Sequence, residues 1–247
     1  MIERIAQRFQ GRWLQGYVRG KLRSDPVYAA TFELLKDDPR PVVDLGCGVG
    51  LLELYLRERG YRAPLTGVDF DEKKIATARR ATAGLADVTF ETRDVCSRGA
   101  LSPRRAEQDS STPRQSGAAT APILGHVVVL DLLHYLPEAG QRRLLGEIVA
   151  SIAPGALCLL RATPRDASWR FRLTQIEEVA LRAVRWMKSG ATHYLTAGEI
   201  MEPFRARGFV SEVRPLWGRT PFNSHLFVFR NVCSPHSLEK ERNFEIS

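Results

Sequence analysis

The residues best placed to do chemistry stand in one nine-residue run, in which an acid precedes three alternating glycines. The run reads Val-Val-Asp-Leu-Gly-Cys-Gly-Val-Gly over residues 42–50, and its acid is Asp44. The glycines are Gly46, Gly48 and Gly50, and a helical pattern of leucines follows them. Glycine lets the backbone approach a ligand closely and adopt positive φ. A strand, a glycine-rich turn and a helix in this order predict the nucleotide-binding turn of an α/β sheet.

The spacing of the glycines separates two classes of ligand. A dinucleotide-binding turn follows the pattern G-x-G-x-x-G, whose third glycine packs the helix on the strand. Leu51 stands at that third position, so the dinucleotide pattern is broken. The run instead resembles the first motif of class I S-adenosylmethionine-dependent methyltransferases, in which the turn lies under the methionine and ribose part of the cofactor. The resemblance implies a cofactor-binding role for five residues: Asp44, Gly46, Cys47, Gly48 and Gly50.

Two further strand ends carry acids in the order that this family shows. One predicted strand ends at Asp69, whose carboxylate can accept hydrogen bonds from both ribose hydroxyls. Phe70 follows it and is expected to pack on the adenine. The next predicted strand ends at Asp94 and Val95, and the resemblance implies that this acid and the following amide bind the adenine. The alternative for Asp94 is a loop acid that caps a turn.

Two histidines are candidates for a general base. His134 follows Asp131 at the carboxyl end of the fourth predicted strand, where open α/β sheets hold their ligands. The resemblance also assigns Asp131 to the cofactor site. His193 stands just before a helix predicted at 197–207. A positioned histidine is useful for a hydroxyl acceptor, whereas a carboxylic acid acceptor needs no base at neutral pH. A structural role is the alternative for both histidines.

The first 38 residues are expected to form a helical lid over the cofactor cleft. Their apolar residues recur at the spacing of one helical stripe over residues 9–22, between arginines and lysines. The resemblance favours a lid, as in many small-molecule methyltransferases, and a basic helix on a membrane surface is the alternative. Four side chains of this segment are candidates to reach the carboxylate of the cofactor: Tyr28, together with one of Arg19, Lys21 and Arg23.

Strands and helices alternate over residues 39–232, which predicts an α/β, Rossmann-like domain with a mostly parallel sheet and helices on both faces. Seven strands are predicted, at 41–46, 65–70, 88–94, 125–131, 156–162, 208–213 and 226–230. The last two are expected to form a hairpin, so that the final strand is antiparallel. The resemblance also implies this hairpin, which is typical of the methyltransferase family. Dinucleotide-binding folds lack it.

Three segments depart from the alternation of strands and helices. Residues 97–122 contain few large apolar side chains, so we expect a flexible surface insertion. Residues 164–195 contain an amphipathic helix predicted at 168–189, which is expected to cap the substrate pocket. Residues 233–247 are polar and are predicted to form a frayed tail.

The composition narrows the class of protein. No run of eighteen apolar residues occurs among the 247, so no membrane-spanning helix is expected. The four cysteines form no Cys-x-x-Cys pair, so neither a metal site nor a disulfide framework is expected, and the cytoplasm is the predicted location. The sequence does not determine the oligomeric state.

The net charge of +8 indicates attraction to an acidic partner, and a soluble arginine-rich surface is the alternative. Nucleic acid is disfavoured, because neither an Asn-Pro-Pro-Tyr motif nor a stacked-aromatic or zinc-knuckle module accompanies the charge. The whole chain resembles bacterial methyltransferases of lipid, polyketide or aryl-polyene biosynthesis. This resemblance implies methyl transfer from S-adenosylmethionine, with S-adenosylhomocysteine as product, to an aryl or acyl acceptor that is free or held on an acidic carrier protein. The alternatives are an RNA or protein methyltransferase and a non-catalytic protein that binds S-adenosylmethionine.

Overall fold

A seven-stranded sheet forms the centre of the protein, and its strands lie in the order 3-2-1-4-5-7-6. The computed structural model describes residues 1–95, 125–174, 176, 193–218 and 221–232. Three predicted segments lie wholly or mostly outside the described residues: the insertion at 97–122, the helix at 168–189 and the tail at 233–247. The described residues include all seven strands of the sheet.

Six strands of the sheet run in one direction and the last runs in the other. The strands are β1 (Val42–Leu45), β2 (Leu65–Asp69), β3 (Val88–Thr92), β4 (His126–Leu130), β5 (Leu157–Ala162), β6 (Val210–Pro215) and β7 (His225–Arg230). The first five pair in parallel, whereas β7 is antiparallel to both β5 and β6. This arrangement confirms the predicted Rossmann-like sheet with an antiparallel last strand.

The sixth strand begins two residues later than the sequence pattern predicts. The prediction placed it at 208–213, but Gly208 has a φ of +78°. The amide of Gly208 donates to the carbonyl oxygen of Arg205 at 3.0 Å, as expected where a glycine ends a helix. The extended backbone therefore starts at Val210, after this turn.

Helices cover both faces of the sheet. They are α1 (Ile2–Gln7), α2 (Arg12–Ser24), α3 (Val27–Leu35), α4 (Leu51–Glu58), α5 (Glu72–Ala81), α6 (Glu138–Ser151) and α7 (Ala197–Arg205). Residues 169–174 are also helical, and Leu133–Tyr135 form a short 3₁₀ helix. Asp71 caps α5, and a capping box at Thr196 starts α7. In the described ranges, no helix has the length and apolar character needed to cross a membrane.

The apolar core is divided by the sheet into two layers, because successive residues of a strand point to opposite faces. Val127 and Val129 of β4 lie in one layer, which α6 and α7 cover. Val128 lies in the other layer, where α1 to α4 pack. A smaller apolar cluster joins α5 to Phe90 of β3. The protein therefore has the predicted helices on both faces.

The amino-terminal segment forms three helices and contributes to the core. Gly11 has a φ of +87° between α1 and α2, and Pro26 separates α2 from α3. Ile5 and Leu35 are fully buried in the same apolar layer as Val228 of β7. These helices are thus part of the cover of the sheet, and the division into a lid at 1–38 and a domain at 39–232 stays a prediction.

Candidate functional site

The glycine-rich turn lies at the carboxyl end of β1 and adopts a conformation that favours glycine. Gly46, Gly48 and Gly50 have φ values of +82°, +57° and +77°. A Cβ atom on Gly50 would lie 2.9 Å from Cζ of Phe90, so a side chain there would displace the ring. A Cβ on Gly48 would meet no atom within 4 Å. The turn is therefore closely packed where α4 begins and open at Gly48.

Asp69 holds this turn against the end of β2. Its carboxylate is buried, and Oδ2 accepts a hydrogen bond of 3.0 Å from the amide of Gly48. Oδ1 accepts a second bond of 2.9 Å from the amide of Asp71. Each carboxylate oxygen has two lone pairs, so both oxygens can accept a further donor such as a hydroxyl group. The predicted ribose-binding acid is therefore also the residue that orders the glycine turn.

Two further acids are buried between α4 and the sheet without cationic partners in the described part of the chain. Asp44 and Glu53 expose only 4% and 1% of their surface. One oxygen of Asp44 and both oxygens of Glu53 have no hydrogen-bond partner. Burial raises the pKa of both carboxyls, and the negative charge of neighbouring acids raises it further. The sequence analysis missed Glu53, although an acid within the apolar run Leu-Leu-Glu-Leu was a usable signal.

The space for Glu53 is created by a glycine on the neighbouring strand. Gly67 of β2 is the register partner of Asp44. A Cβ on Gly67 would lie 2.6 Å from Oε1 of Glu53, so the carboxyl group occupies the place of the absent side chain. Because neighbouring strands lie about 4.8 Å apart, the carboxyl groups of Asp44 and Glu53 share one small region of the interior.

The remaining residues of the predicted cofactor set differ in burial. Cys47 is buried, and burial raises the pKa of its thiol, which keeps the thiol protonated at neutral pH. Val95 is also buried, just after β3. Phe70 has 66% of its surface exposed at the end of β2, and Asp94, directly before Val95, is also exposed. Their predicted adenine contacts stay predictions.

Asp131 takes part in a cluster of four charges at the carboxyl ends of β4 and β5, which we call the charge cluster: Lys21, Asp25, Asp131 and Arg161. Arg161 donates to both acids. Nζ of Lys21 lies 3.1 Å from Asp25 and 3.5 Å from Asp131. Burial alone would raise the pKa of Asp131, but Arg161 and Lys21 hold it well below its usual range. Arg161, which interrupts the otherwise apolar strand β5, was missed from the sequence.

Of the side chains that were predicted to reach the cofactor from the amino-terminal helices, the charge cluster contains Lys21. Arg19 pairs instead with Glu3, with Nη2 and Oε1 2.7 Å apart. Tyr28 is buried with its ring 5.8 Å from that of Tyr55, and burial raises the pKa of its phenol. Lys21 is therefore the candidate cation that the structure brings to the carboxyl end of the sheet.

His134 lies within the 3₁₀ helix that follows β4, and His193 lies shortly before α7. The ring of His134 is buried and stacks on Tyr194, with centroids 5.8 Å apart and an interplanar angle of 6°. The ring of Phe171 contacts the ring of Tyr194 edge-on, with centroids 5.2 Å apart. Nε2 of Gln141 donates to the carbonyl oxygens of His193 and Leu136, each at 2.9 Å. The two histidine segments are thus held together.

The arrangement places binding groups and a base candidate along one edge of the sheet. The glycine turn and Asp69 lie at the ends of β1 and β2, and His134 lies beyond β4. β1 pairs with both β2 and β4, so these groups are neighbours in space as well. Within the described ranges, no cluster of three or more His, Cys, Asp or Glu side chains is arranged to hold a metal ion.

The comparisons with known proteins identify a family. The family described as Methyltransferase domain matches residues 14–212, which is most of the chain. This match begins within α2, includes the glycine turn and the first five strands, and ends within β6. A comparison with curated protein sequences finds no significant match.

Solved structures of methyltransferases have the same fold. Magnesium protoporphyrin IX methyltransferase (ChlM) from Synechocystis PCC 6803, with bound S-adenosylhomocysteine, is 18% identical, with a TM-score of 0.58 over 90% of this chain and 89% of that one. The pyocyanin biosynthetic protein PhzM is 19% identical, with a TM-score of 0.60 over 90% and 58% of the two chains. Human N-acetylserotonin methyltransferase is 14% identical, with a TM-score of 0.54 over 84% and 55%. At these identities the likeness shows the fold.

Proposed function

The chain belongs to the methyltransferase domain family, and we propose that it methylates a hydroxyl or carboxyl group of a small aromatic or acyl metabolite. It is an S-adenosylmethionine-dependent methyltransferase. The observation that carries the proposal is the glycine turn held by Asp69, next to a buried histidine beyond β4. Two proteins of similar fold, the magnesium protoporphyrin IX and N-acetylserotonin methyltransferases, have small molecules in their names, which supports a small acceptor.

The residues present fit S-adenosylmethionine. Gly48 leaves open space where a side chain would stand, and Asp69 keeps lone pairs for hydroxyl donors. The unpartnered carboxyl oxygens of Asp44 and Glu53 offer negative charge to a cationic ligand. We propose that Asp44, Asp69 and the turn amides hold the cofactor, with Phe70, Asp94 and Val95 at the adenine.

The chain's own contribution to methyl transfer is alignment and, for a hydroxyl acceptor, proton removal. S-adenosylmethionine supplies an electrophilic methyl group when bound. Holding an acceptor atom in line with that group can remove about 7–11 kcal/mol of barrier. His134 is the proposed base, because its ring lies at the carboxyl end of β4 and Tyr194 fixes its orientation. It takes the proton of the acceptor hydroxyl and later releases it to solvent.

Binding of the cofactor tests the assignment of Asp69. We expect Asp69→Asn to lose one backbone hydrogen bond and the negative charge together. A charge-assisted bond is worth about 1.5–3 kcal/mol, so the dissociation constant for S-adenosylmethionine should rise roughly 10- to 150-fold. Isothermal titration calorimetry measures this change, with Asp37→Asn, an exposed acid between α3 and β1, as the matched control.

A radiolabelled methyl-transfer screen then tests the acceptor class. Phenols, carboxylic acids and carrier-bound acyl groups are the arms of the screen. Methylation confined to RNA or protein would overturn the small-molecule proposal. An unchanged affinity in Asp69→Asn would reject the role of that carboxylate while leaving the family assignment in place.

We also propose the cytoplasm as the location of the protein. Cys47 and Cys158 are buried free thiols, which favours a reducing compartment.

A further inference from the structure

The least expected group in the molecule is the carboxyl of Glu53, which is buried in the first turn of α4. It exposes 1% of its surface, and neither oxygen has a hydrogen-bond partner in the described part of the chain. An acid buried in this way is costly when ionised, because it exchanges water for an environment that does not stabilise its charge. A residue of this cost needs a cationic ligand or a bound proton to be tolerated.

Within the described part of the chain, the groups around Glu53 supply no positive charge. Asp44 on β1 and Cys47 in the glycine turn interact with it, and Asp69 on β2 interacts with both of them. Asp69 already accepts two backbone amides, and the thiol of Cys47 is protonated. A water molecule would satisfy hydrogen bonds at this place but would not neutralise the charge. The excess negative charge therefore belongs to the carboxyl groups of Asp44 and Glu53.

The positions of the two carboxyls make simultaneous ionisation unfavourable. Gly67 is the register partner of Asp44, and Oε1 of Glu53 occupies the place of the side chain that Gly67 lacks. Like charges this close in a buried site cannot both be carried at neutral pH, so one proton is retained by the pair.

We propose that Asp44 and Glu53 share one proton in the donor-free protein and release it to solvent when the positively charged methyl donor binds. The inference rests on the proposed cofactor site and deepens it, since Glu53 becomes a positioning residue that acts through Asp44. The step balances, because the proton passes from the carboxyl pair to the buffer and a fixed positive charge of the donor takes its place. Donor affinity then depends on pH through this pair.

The direction of the pH dependence follows from linkage. Because donor binding releases a proton, the affinity for S-adenosylmethionine rises with pH wherever the donor-free pair is protonated. With one proton released, the association constant rises by up to about tenfold per pH unit. Glu53→Gln is expected to lose this slope, because the amide carries no proton to give up.

Isothermal titration calorimetry in buffers of different ionisation enthalpy counts the protons directly. We would titrate wild type, Glu53→Gln and Glu58→Gln with S-adenosylmethionine between about pH 6 and about pH 8. Glu58 lies at the other end of the same helix and pairs with Arg4 at 2.7 Å, so it is the matched control. We expect nearly one proton released by wild type and by the control, and almost none by Glu53→Gln.

A second titration with S-adenosylhomocysteine identifies which donor charge replaces the proton. If both ligands cause proton release, the ammonium group, which both carry, replaces the proton. If only S-adenosylmethionine causes proton release, its sulfonium group replaces the proton. Binding without proton release in wild type, or equal release in Glu53→Gln, overturns this inference and leaves the proposed function intact. Absence of any binding in a folded protein overturns both. Thermal unfolding confirms that each variant is folded before titration.

Discussion

At the scale of single residues, Asp69 shows how one carboxylate serves structure and binding together. Its two backbone hydrogen bonds join the amides of Gly48 and Asp71, which belong to different turns. The site is therefore ordered by the same group that is proposed to bind ribose. A substitution there changes both functions, so the affinity change proposed above is best interpreted with a measurement of the turn itself, such as amide exchange at Gly48.

His134 provides a test of the acceptor chemistry. We expect His134→Phe to keep the stacking on Tyr194 and to leave donor affinity unchanged. With a hydroxyl acceptor, loss of the base should lower kcat by roughly 10²–10⁴-fold and remove the acid limb of the pH profile. With a carboxylate acceptor, kcat should hardly change. Steady-state kinetics on both acceptor types, with His193→Gln in parallel, distinguishes a base from a packing residue.

Glu53 also makes a prediction about stability. Burial raises the pKa of its carboxyl in the folded protein above the unfolded value. Between these two values the unfolded chain binds fewer protons, so stability falls as pH rises through that window. We expect Glu53→Gln to be more stable relative to wild type at pH 8 than at pH 5. Urea unfolding at both values measures this, and a constant difference would contradict it.

The candidate site residues that the sequence predicted belong to local motifs. The glycines and Asp44 lie in one strand–turn–helix pattern and Asp69 ends the next strand, so their position at one edge of the sheet was predictable. Glu53 and Arg161 were missed because their importance arises from contacts between distant segments. Glu53 depends on the gap at Gly67, and Arg161 on acids contributed by α2 and β4.

At the scale of elements, the charge cluster fastens the amino-terminal helices to the end of the sheet. Arg161 on β5 bridges Asp25, which follows α2, and Asp131, which follows β4. The side chain of Arg161 exposes 10% of its surface. Since a buried charge that loses its partner is strongly unfavourable, loss of this guanidinium would leave Lys21 as the cation paired with both acids.

We expect Arg161→Leu to destabilise the protein by about 3 kcal/mol, at the lower end for a broken buried ion pair because Asp131 is partly exposed. The loss of stability should be smaller at low pH. The folded protein lowers the pKa of Asp131, so this carboxylate contributes stability that is lost as the pH falls through its folded pKa. Adding Asp25→Asn and Asp131→Asn should restore part of the lost stability. Denaturant unfolding of the three proteins checks both statements, and full additivity of the substitutions would argue against a cluster.

The elements that the sequence predicted well are those with strong periodicity and clear end signals. The helix predicted to start at residue 197 does start there, after a capping box at Thr196. The start of β6 was predicted two residues too early. Its sequence pattern includes Gly208, but the backbone turns there. The amino-terminal segment was expected to be helical, but its division at Gly11 into two helices depends on packing that periodicity does not show.

At the scale of the whole molecule, the amino-terminal helices behave as part of the core. Four side chains of these helices and of the turn between them are almost completely buried: Ile5, Phe9, Val18 and Leu22. Each such burial contributes about 1.5–3 kcal/mol, so together they approach the entire stability of an ordinary domain. The remainder of the chain is therefore not expected to fold without them.

Deletion of residues 1–25 tests whether this segment is a cover or a separable lid. We expect the shortened chain to lose cooperative unfolding and to bind no S-adenosylmethionine. Circular dichroism with urea titration measures the first outcome, and calorimetry the second. A folded shortened chain with a raised KM alone would instead show that the segment is a lid.

The ion pair between Asp25 and Arg161 spans 136 residues of sequence. On a ribosome that adds roughly 5–20 residues per second, Arg161 is synthesised about 7–27 s after Asp25 at the end of α2. During that interval its apolar stripe has only an incomplete sheet to cover, because β5, β6 and β7 are not yet synthesised. Nascent chains of this protein should therefore depend on a chaperone that shields an early amphipathic helix, and slow translation should prolong that dependence.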